Sequence, residues 1–248
     1  TDRVTTESYT LSLHDALPIL EQYRREFIGN LSHEMKTPLF NIQGYVSTLA
    51  DGGLEDPKIN REYLHRTEQS VERLVKILED LDEISQFESG QMKLNITIFD
   101  LHSLTCEVVE SLEMKASKKG IRIVVNEPDK EIMAEGDKER IRQVLTNIID
   151  NSLRYGLKGD GRTKISFFDM DEHILTEVTD NGIGVDQSDL PRLFERFYRT
   201  ERGRAISRKG KGLGLAIVKH ILEAHGQTIH VRSKVGVGTT FGFTLRKA

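Results

Sequence analysis

Asn30-Leu31-Ser32-His33-Glu34-Met35-Lys36-Thr37-Pro38 places a histidine beside a carboxylate in the middle of a long apolar periodicity. Around it, Phe27, Ile28, Leu31, Met35, Leu39, Ile42, Val46 and Leu49 recur at three- and four-residue steps, which predicts a helix with one apolar face. Pro38 lies inside the pattern, so a kink or local distortion is expected just after His33. Asp51-Gly52-Gly53 and Pro57 mark a turn. A second helix is expected from about Asn60 to Phe87, where Leu64, Val71, Leu74, Leu78 and Leu81 follow the heptad steps of a coiled-coil-like seam. Such a hairpin has too little core to stand alone. Pairing two of them as a four-helix bundle buries both stripes, so a homodimer is expected, the alternative being a hairpin packed on its own downstream domain. For His33-Glu34 two readings stay open at this point. One is a solvated pair on a helix surface; the other is an imidazole with one exposed, unprotonated nitrogen, whose proton Glu34 accepts or whose ring it orients.

Outside this hairpin the bulk numbers set bounds. The 248 residues suffice for one large domain or two modest ones. A net charge of −4 gives no general pull toward nucleic acid or anionic membrane, and neither is expected as a partner of this stretch. No apolar run approaches the roughly 20 residues a spanning helix needs, and no signal peptide is evident. The single cysteine, Cys106, has apolar neighbours and reads as a small core residue. Residues 1–20 lack clean periodicity, and Pro18 is expected to break a helix entering Leu20. They are expected to be irregular: a linker, or sequence foreign to the protein.

Beyond Ser89-Gly90 the texture becomes mixed α/β. Strands are expected at 93–98, 121–125, 163–168, 174–179, 229–233 and 239–245, with helices near 101–118, 138–155 and 214–224, as a layer of helices on a mixed sheet. Three blocks carry chemistry. In Asn147-Ile-Ile-Asp150-Asn151-Ser-Leu-Arg154-Tyr155, Asn147 and Asn151 share one helix face and offer neutral oxygens suited to Mg²⁺ on a phosphate chain. In Asp180-Asn181-Gly182-Ile183-Gly184, a carboxylate at a strand end can accept from an adenine amino group, while glycines allow close backbone approach. In Gly210-Lys211-Gly212-Leu213-Gly214-Leu215, glycines lead into a helix N-terminus, where N–H groups and the helix dipole favour phosphate. Between the last two blocks, Leu193-Phe194-Glu-Arg-Phe197-Tyr198 and the Arg-rich run to Lys211 fit a mobile lid anchored by phenylalanines. Taken singly, the blocks are equally what helix caps, turns and solvated loops would show.

In this order, the blocks resemble the sensor histidine kinases of two-component systems, in the subfamily whose phosphoacceptor box reads His-Glu-x-x-Thr-Pro. The resemblance covers roughly 21–247. Residues 33–38 look like that family's H box, 147–155 its N box, 180–184 its G1 box, 194–197 its F box and 210–215 its G2 box. It implies a dimerisation and histidine phosphotransfer domain over 21–90 and a Bergerat-type α/β sandwich binding ATP over 91–248. By that similarity His33 receives the γ-phosphoryl group with Glu34 as base or orienting partner, and Thr37 orients water when a regulator is dephosphorylated. Asn151 ligates Mg²⁺ with Asn147 close by, Arg154 contacts phosphate, Tyr155 flanks the base and Asp180 binds the adenine amino group. Gly182, Gly184, Gly210, Gly212, Leu213 and Gly214 shape the nucleotide site. The implied partner is a response-regulator receiver domain, docked near Ile28 and Leu31, and the implied hinge lies near Gly90. A parent protein anchored in the membrane, with this part on the cytoplasmic side, is also implied. Lys211 departs from the pattern, since the family often has a small or polar residue there; it either adds a phosphate contact or is solvated. The alternatives are a Bergerat-superfamily ATPase, or a pseudokinase scaffold, without histidine phosphorylation.

Overall fold

The computed structural model describes residues 13–88, 93–157, 159–206 and 210–248, with side chains from Arg25 onward apart from 26, 87 and 88. The chain divides between Ile77 and Leu78 into two compact units. The Gly90 region expected as a hinge lies outside the described residues, as do residues 1–12.

In the first unit, helix α1 spans Leu13–Thr48. Its helix thus covers 13–20, part of the segment expected to be irregular, and runs through Pro18 and Pro38 without a break. Pro38 removes only the one N–H that would have bonded the Glu34 carbonyl, and its ring is buried. A five-residue π-type turn, Leu49–Gly53, ends the helical path at Asp51 and Gly52, the latter at φ +104°. There a side chain would be strained and glycine is not. Helix α2, Asn60–Glu88, returns antiparallel. Arg73 bonds back to Glu34, and the Tyr45 and Tyr63 rings lie 5.2 Å apart. The heptad positions Leu64, Val71 and Leu78 are 52%, 45% and 51% exposed in the single chain, whereas Ile77 and Ile84 are buried. Ile28, Leu39 and Val46 on α1 are exposed as well.

The second unit holds one seven-stranded sheet. Its elements are β1 (Ile96–Asp100), α3 (Leu101–Lys119), β2 (Ile121–Val125), β3 (Met133–Asp137), α4 (Lys138–Tyr155), β4 (Gly161–Met170), β5 (His173–Asp180), a 3₁₀ turn (Leu190–Arg192), α5 (Glu201–Ile206), α6 (Gly214–Ala224), β6 (Ile229–Lys234) and β7 (Gly238–Lys247). Strand order is β1-β3-β7-β5-β4-β2, with β6 also paired to β7. Among the described residues, only β2 and β4 pair in parallel. Alternate residues of β4, β5 and β7, among them Ile165, Ile174, Val178, Phe241, Phe243 and Leu245, are buried with Leu101 and Leu104 of α3, Ile141, Leu145, Ile148 and Ile149 of α4, and Ile217 and Ile221 of α6. Each contributes roughly 1.5–3 kcal/mol by leaving water.

The helix ends follow from local chemistry. Asp100 accepts from the N–H of His102 and of Ser103 to start α3, and Gly120 at φ +66° ends it. Asp137 caps α4 through the N–H of Arg140. Its own N–H donates to His225 Nε2 at 2.9 Å, while His225 Nδ1 lies 2.7 Å from the Ile221 carbonyl, so the end of α6 is fixed against the start of α4. Two further expectations are corrected, and one strand was not expected. Cys106 is exposed, because on α3 it falls off the buried stripe of Leu101, Leu104, Thr105 and Val108. The strand expected at 93–98 begins at Ile96. Strand β3 went unread because Met-Ala-Glu-Gly-Asp resembles a turn, although Gly136 is there to admit the His225 ring, 3.3 Å from where a Cβ would stand.

Candidate phosphoacceptor and nucleotide-binding sites

In the first unit His33 is exposed on α1, as a phosphate acceptor must be. Glu34, one residue on, is half-buried and its Oε2 accepts from Arg73 Nη2 at 2.8 Å. The Thr37 hydroxyl donates to the His33 carbonyl at 3.2 Å, which sets it one turn from the imidazole along the same helix. His33, Glu34 and Thr37 are therefore on one helical segment, with the carboxylate tied to α2.

In the second unit, α4 buries Ile141, Val144, Leu145, Ile148, Ile149, Ser152 and Leu153 and leaves Asn147, Asn151, Arg154 and Tyr155 half-buried on its remaining face. The first turn of α6 lies beside that face, since a Cβ on Gly214 would stand 3.5 Å from Asn147 Oδ1. Leu213 precedes α6 without any side-chain cap, so its first N–H groups are not bonded by that residue.

The loop after β5 is held by backbone. Asp180 is 9% exposed, and its Oδ1 accepts from the N–H of Gly182 at 2.8 Å and of Thr239 at 3.2 Å. Burial pushes its carboxyl above the ordinary carboxylate value, against the pull of those two bonds. Ile183 N donates to the Tyr155 carbonyl, and a Cβ on Gly182 would come within 2.4 Å of that same oxygen. Gly184 (φ +65°) and Gly238 (φ +137°) close the crossing: added Cβ atoms would lie 2.0 Å from the Lys234 carbonyl oxygen and 1.9 Å from that of Asp180. Only glycine fits at these positions.

The second glycine block is bonded to the aromatic segment. Phe197, buried and held at φ +59°, donates its N–H to the Gly212 carbonyl at 2.8 Å; Gly212 itself sits at φ +76°. Phe194 meets Phe241 edge-on at 6.4 Å. Gly203 and Gly210 both approach the Tyr155 ring, with Cβ positions 3.4 Å from its Cε1 and its hydroxyl respectively. Part of the stretch expected as a lid is thus the short helix α5, and 207–209 lie outside the described residues.

Two contributors were not singled out from sequence. Asp150 accepts from Arg154 Nη2 at 2.9 Å and from Lys115 of α3. Burial works against its charge, but Lys115 and Arg154 outweigh that and hold its carboxyl below the ordinary value. The four-residue step from Asp150 to Arg154 was a readable signal. Thr239 contributes through its N–H, which no side-chain pattern announces. Lys211, left open in the sequence between a phosphate contact and a solvated side chain, is ion-paired to Asp80 of α2 at 3.4 Å.

Two family models match the chain. A "His Kinase A (phospho-acceptor) domain" covers 23–90, and a "Histidine kinase-, DNA gyrase B-, and HSP90-like ATPase" covers 136–248. The sensor histidine kinase WalK of Bacillus subtilis is 36% identical over 227 residues, which is 91% of this chain and 37% of that relative. A WalK of Staphylococcus aureus is 32% identical over 241 residues, 96% of this chain and 57% of that one. The chain therefore spans between 37% and 57% of the length of these relatives. Among solved structures, the Acinetobacter baumannii histidine kinase AdeS superposes with a TM-score of 0.70 at 26% identity, covering 86% of this chain and 97% of that one. A phospho-acceptor domain model and an ATPase domain model matched in one chain, together with these WalK relatives, support a two-component sensor histidine kinase catalytic core.

Proposed function

We propose that this chain is an ATP-dependent protein-histidine kinase that phosphorylates its own His33 and passes the phosphoryl group to an aspartate of a response-regulator receiver domain. The observation that supports it most is the coexistence, in one chain, of an exposed His33 with an α4 face bearing Asn147 and Asn151 that lies beside the start of α6, where Leu213 supplies no side-chain cap. In the transfer, a ring nitrogen of His33 forms a bond to the γ-phosphorus as the bond to the bridging oxygen of ADP breaks. The reaction needs chiefly in-line positioning and charge neutralisation. Glu34, held by Arg73, orients the imidazole or takes its proton. The buried Asp180 accepts from the adenine amino group, Tyr155 flanks the base, and Arg154, placed by Asp150, meets a phosphate oxygen. Gly182 and Gly184 shape the base end of the site. Gly210, Gly212, Leu213 and Gly214 bring N–H groups to the phosphates.

The residues present fit Mg²⁺ brought in with the nucleotide. Asn147 and Asn151 offer neutral oxygens one turn apart, and the described residues hold no cluster of three or more His, Cys, Asp or Glu able to bind a cation by itself. When bound, the ion would offset charge on the phosphates, with Asn151 as its protein ligand.

We take 21–90 as the dimerisation and phosphotransfer domain and 91–248 as the ATP-binding domain. A second copy of the hairpin would cover the exposed Leu64, Val71 and Leu78, completing a four-helix bundle. No helix among the described residues is long and apolar enough to cross a membrane. We place this part on the cytoplasmic side of a membrane-anchored parent, where ATP and regulator are available. A plain ATPase or a scaffold would leave the His33 segment without a purpose. Incubation with Mg-[γ-³²P]ATP tests the reading: label should be acid-labile and absent from His33→Gln, which should still bind nucleotide. Label persisting in that variant would refute it.

A further inference from the structure

Lys211 and Asp80 are both largely shielded, with side chains 15% and 10% exposed, and the ammonium lies 3.4 Å from Asp80 Oδ2. They belong to the same compact unit, Leu78–Ala248. One turn further along α2, Glu83, 12% exposed, accepts from Arg140 of α4 and from Gln143 Nε2 at 2.7 Å. Two carboxylates three residues apart thus grip the two elements that border the proposed nucleotide cleft. Glu83 holds the first half of α4, and Asp80 holds the glycine loop before α6.

Lys211 stands between Gly210 and Gly212, two residues before the N-cap of α6. Phosphate drawn to the first turn of that helix would lie within reach of its four-carbon arm. A shielded carboxylate that loses a paired cation is left less compensated, which is costly. The ammonium, by contrast, can move to a better anion, and a triphosphate carries several negative charges where Asp80 carries one.

We propose that Lys211 is a phosphate-binding residue kept on Asp80 until nucleotide arrives, so that Asp80 and the nucleotide compete for one ammonium and binding frees the end of α2 from the glycine loop. This rests on the ATP-binding reading above. Linkage makes the effect reciprocal: whatever frees Lys211 from Asp80 tightens nucleotide, and nucleotide weakens the Asp80 contact by the same factor.

The test is calorimetric titration of the full chain and its variants with a non-hydrolysable ATP analogue and Mg²⁺. Asp80→Asn should bind about 5-fold or more tightly than wild type, the low end of ordinary coupling. Lys211→Thr should bind more weakly than wild type, and adding Asp80→Asn to it should change affinity no further, giving a non-additive cycle. A salt bridge that is merely structural would lower the thermal midpoint of both variants and leave affinity unchanged; that result overturns the proposal. Wild-type chain binding no nucleotide would overturn the ATP reading first, and this inference with it.

Discussion

Asp180 offers a way to separate what a residue does for the fold from what it does for a ligand. Its Oδ1 satisfies two buried donors, Gly182 N and Thr239 N, and it is 9% exposed. In Asp180→Ala both donors lose their acceptor, at about 1–3 kcal/mol each. Removing a charge that burial disfavours returns part of that, leaving a net loss of about 2–4 kcal/mol, on the order of 5–15 °C in Tm. In Asp180→Asn the carboxamide oxygen keeps both bonds and the charge disappears, so stability at neutral pH should match or exceed that of wild type. The raised carboxyl gives a pH signature. The folded state disfavours the ionised form, so wild type should gain stability relative to Asp180→Asn as pH falls through the raised value toward the unfolded value near ~3.9, and nothing further below it. For nucleotide the two variants should agree: losing the acceptor for the adenine amino group costs ~2 kcal/mol, about 30-fold in Kd. Urea unfolding over a pH series and titration with ATP analogue read both quantities. An alanine variant as stable as the asparagine one would refute the structural account, and an asparagine variant binding within about 3-fold of wild type would refute the adenine contact.

Gly238→Ala places a Cβ 1.9 Å from the Asp180 carbonyl at φ +137°, so it should fail to give a folded second unit, which circular dichroism and proteolysis would show. Thr37→Ala removes a hydroxyl bonded along its own helix, so unfolding stability should hold within ~0.5 kcal/mol while dephosphorylation of a regulator falls; unchanged phosphatase activity in a coupled assay counts against its role. Val71→Lys and Leu78→Lys change side chains already 45% and 51% exposed, so the monomer should keep its helicity while sedimentation shows the dimer lost.

The helices were legible because their signals are local. Asp100, Asp137 and Gly120 cap or end α3 and α4 where the sequence places them, and α2 and α6 run within a residue or so of the expected spans. The glycine and asparagine blocks came together as their order suggested. What escaped depends on partners distant in sequence. Gly136 reads as a turn until His225 is set beside it, Lys211 reads as a loop cation until Asp80 is, and Thr239 acts through an N–H that every residue but proline possesses. Pro38 is a local signal too, and α1, tied to α2 through Glu34 and Arg73, continues past it as one helix.

Strand β7 pairs with β3, β5 and β6, so the middle of the sheet is made of residues 238–247. On a ribosome the α1–α2 hairpin, built from near neighbours, can form early, since chains fold from the N-terminal side as they emerge. The sheet has no centre until Gly238–Lys247 have been synthesised: until then β5 can pair only with β4, β3 only with β1, and β6 has no partner strand. On the proposed function, a nascent chain would thus display His33 well before it owned the folded sheet on which the proposed ATP site depends, and the order of synthesis would keep the proposed acceptor uncharged.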